Sequence, residues 1–187
     1  MRIIAGEWKG RRISAPKGDA VRPTLDRVRE AWMSMVHVEL PGARVLDLFS
    51  GSGALGLEAL SRGAEHADFV ENDPRAIRVL QENITLLRAE ERCTVHREDA
   101  LAFVTRIARH APAVFSLEQL DERSDYDIAF ADPPYRQDLA VLLAGLWLKG
   151  RFSAIFGVEH ESSSREFLPA GGDTRRYGDS SVTIYRS

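Results

Sequence analysis

Short apolar runs alternate with stretches of helical periodicity along this chain, and that alternation most narrows what it can fold into. ARVLDLF (43–49), HADFVEN (66–72), CTVHRED (93–99), YDIAFAD (126–132) and RFSAIFGVEHE (151–161) read as strands. Between them, ALGLEALSRG (54–63), the run opened by Asp73-Pro74, LAFVTRIAR (101–109) and residues 137–148 carry apolar side chains at helical spacing. Asp73 reads as an N-cap and Pro74 as a first-turn residue, with Ile77, Leu80, Ile84 and Leu87 forming the apolar face. Repeated strand–helix units predict an α/β, Rossmann-like fold: a mostly parallel twisted sheet covered by helices on both faces. The tail DTRRYGDSSVTIYRS adds a C-terminal antiparallel hairpin around Gly178-Asp179.

Two pieces precede this core. RIIAGEWKGRRISAP (2–16) reads as a hairpin or curled strand pair turning near Lys9-Gly10, and TLDRVREAWMSMVHVEL (24–40) as a helix capped by Thr24. The expected organisation is a short hairpin-plus-helix extension over 1–40 and a core over 41–187, with a longer connection at 110–126.

Ligands of such sheets bind beyond the carboxyl ends of the strands. Asp47, Glu71, Asp99 and Asp132 all fall at or just after those ends. Four carboxylates on one rim exceed what solubility requires, so the rim is the candidate site. The net charge of −3 hides an asymmetry that points elsewhere: residues 1–29 carry +5 and the remainder −8. A basic arm on an acidic body suits a polyanionic partner, although a solvated surface segment has the same composition. The single cysteine, Cys93, excludes an internal disulfide and reads as a small packing residue. With no apolar run near the ~20 residues of a membrane span and no secretory leader, a cytoplasmic location is expected. The five histidines are scattered without metal-ligand spacing, and no metal is expected.

The glycines of DLFSGSGALG (47–56) give GxGxxG at Gly51, Gly53 and Gly56. Such a loop lets the backbone approach a ligand closely, and an acid about 20 positions on, here Glu71, suits a ribose diol. Both features fit a nicotinamide dinucleotide and S-adenosylmethionine (SAM) equally. Asp47 separates them: a carboxylate repels a pyrophosphate but attracts a sulfonium cofactor with an ammonium group.

Asp132-Pro133-Pro134-Tyr135 follows the fourth strand. DPPY resembles the [D/N/S]PP[Y/F/W] loop of methyltransferases that modify exocyclic or amide nitrogens. The chemistry is coherent. The lone pair of such an amine is delocalised, and two acceptors gripping its N–H bonds turn that pair toward a methyl donor. The prolines stiffen the loop, and an aromatic ring can stack on an extruded base.

RIIAG (2–6), KGRRI (9–13), RPTLDRVREA (22–31), LDLFSGSGALGLEALSRGA (46–64), FVE (69–71) and DPPY (132–135) together resemble the RsmD family over nearly the whole chain. The resemblance implies a SAM-dependent methyltransferase that modifies N2 of one guanine in 16S ribosomal RNA of the small subunit or an assembly intermediate, leaving S-adenosylhomocysteine (SAH). It implies that Asp47, Phe49, Gly51, Ser52 and Gly53 line the methionine part of the cofactor. Glu71 then binds the ribose diol, and Asn72, Asp73, Asp99 and Ala100 lie by the adenine. Asp132, Pro133, Pro134 and Tyr135 hold the flipped base for direct in-line transfer. Lys9, Arg11, Arg12, Arg22, Thr24, Arg27 and Arg29 face RNA. Trp8 either stacks on RNA or packs within its own hairpin. The chain departs from the family pattern in the long 110–126 connection and in Trp32 and Met33. An adenine-N6 methyltransferase is the main alternative, but it usually carries a separate target-recognition domain for which 187 residues leave little room. A monomer is expected, since nothing marks a large apolar surface.

Overall fold

The computed structural model describes residues 1–15, 23–108, 125–134 and 137–187. Its strands are β1 (Arg44–Leu48), β2 (His66–Glu71), β3 (Cys93–Arg97), β4 (Tyr126–Ala131), β5 (Ser153–Glu161), β6 (Asp173–Tyr177) and β7 (Ser180–Arg186). Helices are α1 (Pro23–Met35), α2 (Ala54–Ser61), α3 (Pro74–Leu87), α4 (Ala100–Ala108) and α5 (Gln137–Gly150). One seven-stranded sheet runs in the order β3-β2-β1-β4-β5-β7-β6. β1 to β5 pair in parallel, while β7 is antiparallel to both β5 and β6. The predicted hairpin is therefore present, with its second strand inserted between β5 and the first. The chain order reverses between β1 and β4, which makes their carboxyl ends the crevice where such sheets bind ligands.

Strand periodicity divides the core in two. Val45, Phe69 and Phe130 join Ile3, Trp8, Val28, Trp32 and Leu80 on one face of the sheet. Leu46, Leu48, Phe156 and Tyr185 pack with Phe103 and Trp147 on the other. Asp47 alternates with Leu46 and Leu48, so the period of two turns its carboxylate toward the first face, where α2 lies. Residues of the 1–40 extension thus share one apolar cluster with the sheet.

Local chemistry sets the element ends. Asp73 caps α3, its Oδ1 accepting from Arg75 N at 2.8 Å, with Pro74 in the first turn. α1 starts at Pro23, so Thr24 is already helical and the capping position falls to residue 22, outside the described residues. α1 also stops at Met35, short of the predicted 40. Val36 and Leu40 are buried while Val38 is 72% exposed, a pattern of a turn and not of a continued helical face. Glu39 N donates to Val36 O at 3.1 Å, closing that turn before Pro41-Gly42.

The 2–16 segment is curled more tightly than a ladder allows. Its β pairing is a single bridge, Arg2 to Arg12, with Ile3 N donating to Arg11 O and Gly10 N to Ile3 O, both at 2.9 Å. Gly6 sits at φ +83°, and a Cβ there would lie 1.7 Å from the Ser61 carbonyl oxygen. The arm is therefore pressed backbone to backbone against α2. Trp8 is buried in the core, with the Arg92 guanidinium 5.3 Å from its ring centre, which favours packing over RNA stacking. Residues 109–124, with most of the long connection, lie outside the described residues.

Candidate active site

Register assembles the rim. Leu48 of β1 is level with Val70 of β2 and with Ala131 of β4. Phe49 and Asp132 follow as the chain leaves adjacent strands, and Glu71, the last residue of β2, stands on the other side of β1. Phe49 takes φ +57°, a left-handed conformation that costs a non-glycine residue about 1–2 kcal/mol. Such strain persists where the surroundings impose it and commonly marks a ligand site.

The three glycines have different tasks. A Cβ on Gly51 would meet nothing nearer than Phe49 O at 3.9 Å, so this position opens on space, as a ligand cradle requires. On Gly53 (φ +79°) it would lie 2.4 Å from Leu80 Cδ1, and on Gly56 2.4 Å from Phe69 Cε1. The latter two glycines let α2 close on the sheet and α3. Gly53→Ala is expected to lower stability by about 3 kcal/mol through overpacking and left-handed strain combined. Gly51→Ala is expected to cost about 1–2 kcal/mol, with its larger effect on cofactor affinity. Denaturant midpoints compared with cofactor titrations check this division, and equal stability losses would contradict it.

Asp47 is 1% exposed, and its Oδ2 accepts from Gly56 N at 2.9 Å. Burial pushes its carboxyl up to about 8, the Gly56 hydrogen bond opposes the rise, and nearby Glu71 adds to it. A cationic ligand at the rim would favour ionised Asp47, so this acid fits the ammonium-bearing end of SAM. At pH 6.5 its binding is expected to release about one proton. The sign follows from the raised pKa: between about 4 and about 8 the free folded protein holds a proton that the ligand-bound form gives up. Affinity therefore falls as pH drops below 8. Calorimetry in buffers of different ionisation enthalpy measures the release, and Asp47→Asn should abolish it.

Glu71 is half-buried. Its Oε2 accepts from Gly51 N at 2.9 Å, and its Oε1 from Asn72 N at 2.8 Å and Asp73 N at 2.9 Å. The carboxylate is thus fixed beside the glycine loop, at the place expected of a diol-binding acid. Asn72 and Asp73 are exposed, the latter occupied as the α3 cap. Asp99 is exposed and accepts from Ala102 N at 2.9 Å, which orients the start of α4, while Ala100 is buried. Asp132 is exposed at the end of β4, Pro133 buried and Pro134 exposed. Tyr135 lies outside the described residues.

Of the basic residues assigned to RNA, Lys9, Arg11, Arg12 and Arg27 are exposed. Arg11 reaches across α3 to donate to Leu86 O at 2.6 Å. Arg22 lies outside the described residues, and Thr24 belongs to α1. Arg29 requires a correction. It is 5% exposed, donates to Arg2 O at 2.7 Å and pairs with Glu58 at 3.9 Å, so it holds the arm from inside and does not face a partner.

Three anchors went unread in the sequence. Glu58, fully buried on α2, accepts from Ile4 N at 2.7 Å, Ala5 N at 3.0 Å and Arg62 Nε at 2.8 Å. Ser61 Oγ donates to Ala5 O at 2.6 Å and accepts from Trp8 N at 3.0 Å. Asn83, 1% exposed on α3, accepts from Ser14 N at 2.8 Å. Its amide donates to Ser14 O at 3.0 Å and to Ser52 O of the glycine loop at 2.9 Å. The signal for Asn83 was present: a polar residue between Leu80 and Leu87 on an otherwise apolar helical face.

Among the described residues, no three His, Cys, Asp or Glu side chains are placed to hold a metal, and no helix is long and apolar enough to cross a membrane. Burial pushes the Cys93 thiol up to about 12, which makes it unreactive.

A mixed sheet in this order, with an acid-lined rim at its switch point, is the Rossmann-like α/β fold of SAM-dependent methyltransferases. The family model described as conserved hypothetical protein 95 matches residues 1–186. The chain belongs to this family, the RsmD family. It is 41% identical to YlbH of Bacillus subtilis over 100% of the chain and 98% of that protein. To the ribosomal RNA small subunit methyltransferase D of Haemophilus influenzae it is 31% identical, covering 100% of the chain and 92% of the relative. The solved structure of yhhF from Escherichia coli superposes with a TM-score of 0.77 at 32% identity, covering 100% of this chain and 97% of that one.

Proposed function

We propose that this chain is a SAM-dependent ribosomal RNA methyltransferase that modifies the exocyclic N2 of one guanine in 16S RNA, acting as a monomer on the small subunit or an assembly intermediate. The observation that carries the reading is the rim: Asp132-Pro133 follows β4 next to β1, which carries Asp47 and runs into Phe49 and the glycine loop, and Glu71 ends β2 on the other side of β1. Family membership and a relative named for small-subunit RNA methylation support the substrate class.

SAM, when bound, supplies an electrophilic methyl carbon. The chain's own residues bind and align. Asp47 answers the ammonium group, Glu71 the ribose diol, and the open side of Gly51 admits the ligand. Asp132 and the Pro133 carbonyl accept the two N–H bonds of the flipped guanine's amine, which directs its lone pair at the methyl carbon. The proton lost on transfer passes to Asp132 or to water. Tyr135 stacks on the base, and Lys9, Arg11, Arg12 and Arg27 contact phosphates, supplying affinity without reading sequence. Rate acceleration then comes mainly from alignment and fixed charge.

Incubation with SAM and small subunits lacking the modification, followed by digestion and mass spectrometry, tests the reading. One new N2-methylguanosine, absent with Asp132→Ala, is the expected result. Methylated adenine would move the assignment to N6 chemistry, and SAM binding without RNA methylation would move it to another amine.

A further inference from the structure

We propose that Asn83 is a positioning residue that couples cofactor binding to the basic arm, so that an occupied cofactor site holds the arm in its RNA-binding position. The inference rests on the cofactor reading above, and it begins at Glu71. A carboxylate offers about four lone-pair directions. Three are taken by the backbone N–H groups of Gly51, Asn72 and Asp73. Both acceptances on Oε1 come from residues at the start of α3, whereas among the described residues Oε2 accepts from Gly51. A ribose diol brings two O–H donors, and one free direction remains. A hydroxyl in that direction lies on Oε2 beside the Gly51 N–H, so a ligand bound there bears on the glycine loop and orders it.

The next residue transmits the change. Ser52 O accepts from Asn83 Nδ2 at 2.9 Å, and the same amide grips Ser14 through both its N–H and its C=O. Asn83 is 1% exposed, so water cannot replace these bonds. Ser14 lies at the end of the described arm, directly after Lys9, Arg11 and Arg12. Glu71, Gly51, Ser52, Asn83 and Ser14 thus form a continuous chain of bonded neighbours from the expected diol site to the arm. Glu58 and Ser61 pin residues 4–8 to α2. The far end of the arm reaches the loop through Asn83 and, by a longer sulfur contact, through Met1, whose Sδ accepts from Ser52 Oγ at 3.8 Å and whose backbone bonds Ile13. A ligand that orders the loop orders the arm through this amide, which is coupling by rigidification.

Amide hydrogen exchange of the full chain, with and without SAH, tests the link. In the wild type, SAH should slow exchange at Ile13 and Ser14 by about fivefold or more, the lower bound of ordinary coupling. In Asn83→Leu, SAH should still bind while the response at Ser14, whose N–H Asn83 accepts, is lost. Asn83→Asp keeps the acceptor for Ser14 N but lacks the amide donors, and it should lose the response as well; it serves if the leucine variant fails to fold. Arm exchange that SAH leaves unchanged or accelerates in the wild type overturns the proposal, as does an undiminished response in a folded Asn83 variant. Absence of SAH binding in the wild type overturns the cofactor reading together with it. Binding without an arm response overturns the coupling alone.

Discussion

An Asp132→Ala enzyme is expected to turn over about 10²–10³-fold more slowly than the wild type, while binding cofactor within about threefold of it. The separation follows from where the side chain sits. Asp132 is exposed, one residue past β4, so its removal leaves no cavity in the core. On the proposed reading, what is lost is an acceptor for the amine, and that contact matters most as the lone pair turns toward the methyl carbon. Single-turnover kinetics at saturating cofactor isolates this step. Comparable losses in turnover and cofactor affinity would place Asp132 in the cofactor site instead.

The largest stability effect is expected at Glu58. Glu58→Ala should cost about 3–5 kcal/mol, because it strips two backbone N–H groups and Arg62 of a shared buried partner. For a domain of this size that is a fall in melting temperature of roughly 10 °C. Glu58→Gln keeps one acceptor oxygen and should lose less. Thermal melts of both variants measure the effect, and a loss below about 1 kcal/mol in the alanine variant would mean that water replaces the carboxylate. The arm should loosen first, since Ile4 and Ala5 lose the carboxylate that accepts both their N–H groups, and RNA affinity should drop with it.

Most of the sheet was legible because its strands are short, apolar and terminated by glycine, proline or a capping acid. Asp73-Pro74 marked the start of α3, and Gly178-Asp179 marked the turn between β6 and β7. The acidic rim was legible for the same reason: parallel strands carry their carboxyl ends to one edge, so spacing alone grouped Asp47, Glu71, Asp99 and Asp132. Burial was not legible. Arg29 and Arg27 are two residues apart in the same basic run, yet one is inside and the other outside. What separates them is Glu58, 29 residues further on, and no local pattern reports such a partner. Glu58 itself sits in a helix whose residues are nearly all buried, so periodicity gave no face on which a charge would stand out. The end of α1 was misplaced because Val36 and Leu40 keep the i, i+4 spacing of a helical face, although the chain between them turns.

The anchoring of the arm also bears on the order in which the protein is made. Residues 4–8 emerge from the ribosome early, but their partners on α2 lie more than 50 positions later, and Ser14 meets Asn83 across 69. At about 5–20 residues per second, the arm spends roughly 3–14 s of synthesis as an undocked basic segment. Its docking thus waits until the glycine loop and α3 have both been synthesised.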